Sequence, residues 1–133
     1  MTGDRTHDGF LDGAVKAWQP KTGFRSASDA VFMAAAVPAR PGQTVLELGC
    51  GAGVAALCVA HRTSAMVTGV ELSPLYVNLA QRNGVDAIQG DVAALPDEIR
   101  GQSFDHVMFN PPYYAANAGT DAQTDHKATA LRE

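Results

Sequence analysis

Asn110-Pro111-Pro112-Tyr113 brings together the residue types that prepare a conjugated nitrogen for reaction. The exocyclic amine of a base, or the nitrogen of a carboxamide, is a poor nucleophile because its lone pair is delocalised. The Asn110 side-chain oxygen and the Pro111 carbonyl can each accept one amino hydrogen. Held in that way, the lone pair turns out of conjugation and toward an electrophile. Two consecutive prolines fix the backbone and remove competing N–H donors. Tyr113 adds a flat face on which a planar target can stack. A Pro-Pro turn that merely ends a strand would look similar, so the meaning of the motif depends on what surrounds it.

A second group of residues suits a nucleotide-like ligand. Gly49-Cys50-Gly51-Ala52-Gly53 lies between an apolar run and an Ala-rich segment. A glycine turn there lets a ligand approach the backbone and leaves N–H groups free at a helix start. Glu71, with Leu72 beside it, lies twenty residues after Gly51, where an acid can grip ribose hydroxyls. The run from Gly51 to Ala56 also fits the relaxed dinucleotide fingerprint, so these residues alone leave a nicotinamide dinucleotide site open. Two more acids favour another ligand. Glu47 stands just before the turn, and Asp91-Val92 follows a third apolar run. Asp91 could cap a helix, but a dinucleotide enzyme has no use for an acid there.

These residues need a scaffold that brings them to one edge, and the pattern supplies it. Thr44–Leu48, Met66–Leu72, Val85–Ile88 and Asp105–Phe109 read as strands. Val54–His61 and about Leu75–Asn83 read as helices between them, the latter introduced by Ser73-Pro74 and stopped by Asn83-Gly84. Residues 91–99 read as irregular or helical, broken by Pro96. Strands spaced by helices predict an α/β fold with a parallel sheet and right-handed crossovers. The glycine turn, Glu71, Asp91 and Asn110 then all fall at strand carboxyl ends, the edge at which open α/β sheets bind ligands. Upstream, residues 1–43 read as a leader with short elements, ending in a helix over about Asp29–Val37 capped by Ser28. Residues 44–114 form the predicted core, and 115–133 read as a loop or disordered tail.

Composition sets the limits. The chain has 133 residues, 46% of them apolar and 18% charged, which suits one globular domain. A net charge of −4 disfavours coating a nucleic acid through a broad face but allows a local basic patch. Cys50 and Cys58 form neither a CxxC pair nor a disulfide framework, and the four histidines lack ligand spacing, so no metal is expected. The weakly polar stretch 30–39 is too short to span a bilayer, and residues 1–5 lack the features of a signal peptide. The expectation is a cytoplasmic protein with no membrane partner.

Glu47-Leu48-Gly49-Cys50-Gly51-Ala52-Gly53, Asp91-Val92 and Asn110-Pro111-Pro112-Tyr113 together resemble the motifs of class I S-adenosylmethionine (SAM)-dependent methyltransferases. The resemblance implies a Rossmann-like sheet of about seven strands, of which about four lie here. It implies SAM as cofactor and S-adenosylhomocysteine as product. Glu47 would orient the methionine moiety, Glu71 and Leu72 would meet the ribose, and Asp91 and Val92 would bracket the adenine. Asn110, Pro111, Pro112 and Tyr113 would handle the acceptor amine.

The stretch from Asp8 to Tyr114 is similar, more narrowly, to bacterial tRNA (adenine-N6)-methyltransferases. The matching residues include Asp8-Gly9-Phe10-Leu11, Gln19-Pro20-Lys21-Thr22-Gly23-Phe24-Arg25 and Ser28-Asp29-Ala30-Val31. That family implies tRNA as partner and a segment closing over the cofactor, with Arg25 and Asp29 on the cofactor side. The residues leave three other readings open: a protein glutamine N5-methyltransferase, an rRNA guanine-N2 methyltransferase, and a catalytically silent SAM-binding fragment. Compared with the family, the interval at Asn83-Gly84-Val85 looks short, and the sequence stops 23 residues after Asn110. The expectation is a chain lacking three strands, or completed by another chain, with its fourth strand left as an apolar edge.

Overall fold

A computed structural model describes residues 4–23 and 25–110; residues 1–3, Phe24 and residues 111–133, among them Pro111, Pro112, Tyr113 and the segment 115–133, lie outside the described residues. The elements run β1 (Arg5–Phe10), β2 (Val15–Pro20), α1 (Ser28–Ala36), β3 (Thr44–Leu48), α2 (Val54–Thr63), β4 (Met66–Glu71), α3 (Pro74–Arg82), β5 (Asp86–Gln89), α4 (Asp97–Arg100) and β6 (His106–Phe109). The four predicted strands form one sheet in the order β5-β4-β3-β6, parallel throughout. Chain direction reverses its march across the sheet between β3 and β6. That switch point opens the crevice where such sheets take ligands.

The two faces of the sheet are covered separately. On one, Val45 and Met108 pack with Val54, Ala55, Cys58 and Val59 of α2 and with Ala30 and Ala34 of α1. α3 extends this layer through Val77 and Ala80 against Val85 and Ala87. On the other face, Leu46 and Val70 meet Ile99 of the short α4, flanked by Leu95 and Phe104. β6 is the outer strand on its side of the described sheet, with Val107 exposed at 59%.

The region upstream of the sheet is more ordered than its sequence suggested. β1 and β2 form an antiparallel hairpin, with Arg5 opposite Pro20 and Phe10 opposite Val15. One hairpin face carries Val15 and Ala17 into the main core. The other carries Trp18 toward Ala52, Tyr76 and Leu79.

Several expected boundaries shift. The N-cap of α1 is Ala27, and Ser28 is the first helical residue, making no side-chain cap. Its Asp29 still lies in the first turn, where the helix dipole favours an acid. Ser73 does occupy the N-cap of α3 with Pro74 following, yet its hydroxyl is buried without a partner. Of residues 91–99 only the last three are helical, because Pro96 caps α4 from outside it.

The passage from α3 to β5 is brief and has a physical basis. Gly84 N–H donates to Gln81 O at 3.0 Å and Val85 N–H to Ala80 O at 2.9 Å. This is the paired pattern of a Schellman motif, with Gly84 at φ +92 supplying the left-handed residue. The motif closes α3 and delivers the chain to β5 with no further loop.

Candidate active site

The site is assembled at the carboxyl ends of β3, β4 and β6. The turn after β3 is held from β4. Gly49 and Cys50 N–H both donate to Val70 O, at 2.8 and 3.1 Å. Gly51 N–H donates to Glu71 Oε1 at 2.9 Å, while Glu71 Oε2 accepts from Ser73 N–H at 2.9 Å. One carboxylate thus fixes the glycine turn and the start of α3 together. Much of the turn's N–H capacity, expected to be free for a ligand, is engaged inside the protein. The shape of the turn is what remains on offer.

Two glycines at the turn and on the strand beneath it are required by close packing. Gly53 has φ +93, and a Cβ there would lie 2.5 Å from Val85 Cγ2. A Cβ on Gly69, in β4, would lie 2.6 Å from Cys50 Sγ. The turn therefore sits directly on β4 and on the start of β5.

Glu47 is 3% exposed, in register with Gly69 on one side and Met108 on the other. Burial, and after it the charge of Glu71, push its carboxyl well above the ordinary glutamate value; the backbone of Ala56 acts in the opposite direction. Oε1 of Glu47 is buried with no hydrogen-bond partner. An isolated buried acceptor is costly, and a cationic ammonium would satisfy it. The amino group of a methionine moiety has that chemistry, so the residues present fit SAM. Burial, followed by Glu47 and Glu71, also pushes the Cys50 thiol far up, and burial with Glu47 raises Cys58. Both thiols are thus held in the protonated form more strongly than an ordinary cysteine.

After β5, Asp91 accepts the Ala93 N–H at 2.8 Å, forming a tight local turn that leaves Val92 half-buried beside it. Leu72 is likewise half-buried after Glu71. At the end of β6, Phe109 pairs with Leu48, so Asn110 leaves the sheet at the same edge as the glycine turn. Asn110 Nδ2 donates to Asp29 Oδ2 at 3.2 Å.

The two upstream residues expected on the cofactor side have different surroundings. Asp29 meets Asn110. Arg25 is engaged by the hairpin: its guanidinium pairs with Asp8 at 2.9 Å and donates to Thr6 Oγ1 and Pro20 O. Burial raises the Asp8 carboxyl, but hydrogen bonds from Thr6 and Gln19 and the charge of Arg25 outweigh it and leave the carboxyl lowered. Pro111, Pro112 and Tyr113 lie outside the described residues.

Sequence reasoning missed Asn83 and Gln19. Asn83, read only as a helix stop, accepts Trp18 N–H at 2.6 Å and donates to Trp18 O and to Ala52 O at 3.0 and 2.8 Å. It joins the hairpin to the glycine turn. Gln19, 1% exposed, donates to Asp8 and accepts from Ser26 N–H at 2.7 Å. The available signal was a long amide in an alternating strand at a position that faces inward. Among the described residues, no group of three His, Cys, Asp or Glu is placed to hold a metal, and no helix is long and apolar enough to cross a membrane.

A doubly wound parallel sheet with a glycine turn after its first strand, and acids at the ends of the next two, defines the Rossmann-like fold of SAM-dependent methyltransferases. Residues 45–131 match the methyltransferase-domain family, and the chain belongs to that family. It is 30% identical over 120 residues to a tRNA1(Val) (adenine(37)-N6)-methyltransferase of Shewanella sediminis, covering 81% of this chain and 48% of the relative. It is 35% identical over 98 residues to the protein of the same name from Yersinia enterocolitica, covering 66% and 39%. Among solved structures, a Haloferax volcanii methyltransferase in complex with the Trm112 methyltransferase activator superposes with a TM-score of 0.52 at 30% identity, over 68% of this chain and 40% of that one. The chain spans about half the length of the curated relatives it matches.

Proposed function

We propose that the protein transfers a methyl group from SAM to an exocyclic amine, and that the amine is adenine N6 of a tRNA. The observation that carries this reading is the position of Asn110. It directly follows Phe109, which pairs with Leu48 at the end of β3, so an amide acceptor leaves the sheet at the same edge as the turn that would hold the cofactor. The relatives named tRNA adenine-N6 methyltransferases support the choice of acceptor.

In this reading SAM supplies an electrophilic sulfonium methyl. Glu47 holds the methionine ammonium through its orphaned oxygen. Glu71 and Leu72 bound the ribose, and Asp91 with Val92 brackets the adenine ring. The Asn110 side-chain oxygen and the Pro111 carbonyl accept the two hydrogens of the acceptor amine, and Tyr113 stacks on its ring. Positioning of an already activated methyl then supplies much of the acceleration.

The test uses the intact gene product with methyl-labelled SAM and two acceptors, undermethylated tRNA and a release factor bearing an unmodified glutamine. Label in adenine N6 of the tRNA is expected. Label in the protein alone would replace this acceptor with a glutamine amide. Calorimetry should show binding of SAM and none of NADH; the reverse would overturn the whole reading.

A further inference from the structure

An asparagine amide has two edges, and only one can accept a hydrogen from an amine. If Asn110 is the amine acceptor, something must decide which edge faces the substrate. The contact with Asp29 makes that choice. A carboxylate only accepts, so Asp29 Oδ2 at 3.2 Å selects the Nδ2 edge of Asn110 and repels the oxygen edge. We propose that Asp29 is a positioning residue that locks the Asn110 amide with its oxygen toward the acceptor amine, an inference that rests on the reading of Asn110 given above.

The placement of Asp29 is itself fixed from both directions. Upstream, Ser26 N–H is held by the buried Gln19, and Arg25 is held by Asp8, Thr6 and Pro20 O. Downstream, Arg62 of α2 donates to Ala34 O and Val37 O, closing the carboxyl end of α1. Ala30 and Ala34 bury one side of the helix. The carboxylate therefore projects from the first turn of a helix anchored at both ends. Arg25 acts at one remove: by pinning the approach to α1 it sets where Asp29 stands. This accounts for a residue that the family resemblance placed on the cofactor side while its guanidinium is engaged by the hairpin.

The decisive experiment compares Asp29→Ala and Asn110→Ala in the intact gene product. Asp29→Ala is expected to lower kcat about tenfold, with SAM affinity and melting temperature unchanged. The loss should vanish in an Asn110→Asp background, because a carboxylate presents an oxygen on either edge and needs no orienting partner. A second readout is independent of activity. In 15N NMR of the chain, the Asn110 side-chain amide should show slowed rotation and shifted protons that revert to free-amide values in Asp29→Ala. The lock is overturned if Asp29→Ala leaves kcat and the amide signal unchanged while Asn110→Ala abolishes transfer; the role of Asn110 would then survive. It is equally overturned if Asp29→Ala loses SAM affinity and melting temperature in step with kcat, which would mark a structural residue. If Asn110→Ala retains full transfer, the parent reading fails and the lock fails with it.

Discussion

Around the glycine turn, nearly every polar group is enclosed or already engaged. Glu47 is buried, Glu71 bridges Gly51 and Ser73, and Asn83 ties Ala52 to the hairpin. At the end of β6 the opposite holds. Asn110 is only half-buried and its described side-chain contact is a single hydrogen bond to an exposed Asp29. The proposed cofactor wall is part of the core, whereas the proposed acceptor wall is laid on the surface of it. Damage on the first side should therefore appear as lost stability, and damage on the second as lost chemistry in a protein that remains folded.

The largest expected effect is at Gly53. Gly53→Ala forces a side chain into a left-handed residue and against Val85 Cγ2. Strain and overpacking together should cost about 3 kcal/mol, read as a lower urea midpoint. Asn83→Ala comes next. It removes three hydrogen bonds and orphans the Trp18 N–H, which should cost about 2 kcal/mol and loosen the hairpin in hydrogen exchange.

Glu47→Gln should separate stability from function within the cofactor wall. A carboxyl whose value is raised on folding holds its proton more tightly in the native state. Stability from this group is complete below the ordinary glutamate value, declines as pH rises through it toward the raised value, and is level above. Glu47→Gln should remove that decline in a series of denaturation curves, yet weaken SAM binding about tenfold. A steeper decline in the variant would refute the assignment. Asn110→Ala sits at the far end of the series. Its stability should stay within about 0.5 kcal/mol of the parent, while methyl transfer falls roughly a hundredfold. A variant that unfolds instead would erase the distinction between the two walls.

The contrast also explains what could be read from the sequence. Apolar runs and turn residues gave the four sheet strands and their order of appearance, because local pattern dictates them. Ser73-Pro74 marked the start of α3 correctly for the same reason. Ser28 failed as a cap because the chain enters α1 one residue earlier, at Ala27. The hairpin escaped notice since its strands are short and its inward positions include Gln19, a polar residue. Asn83 and Asp29 could not be interpreted locally at all. Their partners lie 65 and 81 residues away in the chain, and only the packed structure brings them together.

Trp18 has its backbone N–H and carbonyl on Asn83, whose amide also holds Ala52 in the glycine turn, and its ring stacks on His7 with a centroid separation of 4.3 Å. It is the one tryptophan of the sequence. The protein thus carries its own fluorophore, held against the glycine turn by the Asn83 amide and by packing on Ala52. Titration with SAM, followed by intrinsic emission, should report the tightening of that turn without any added label.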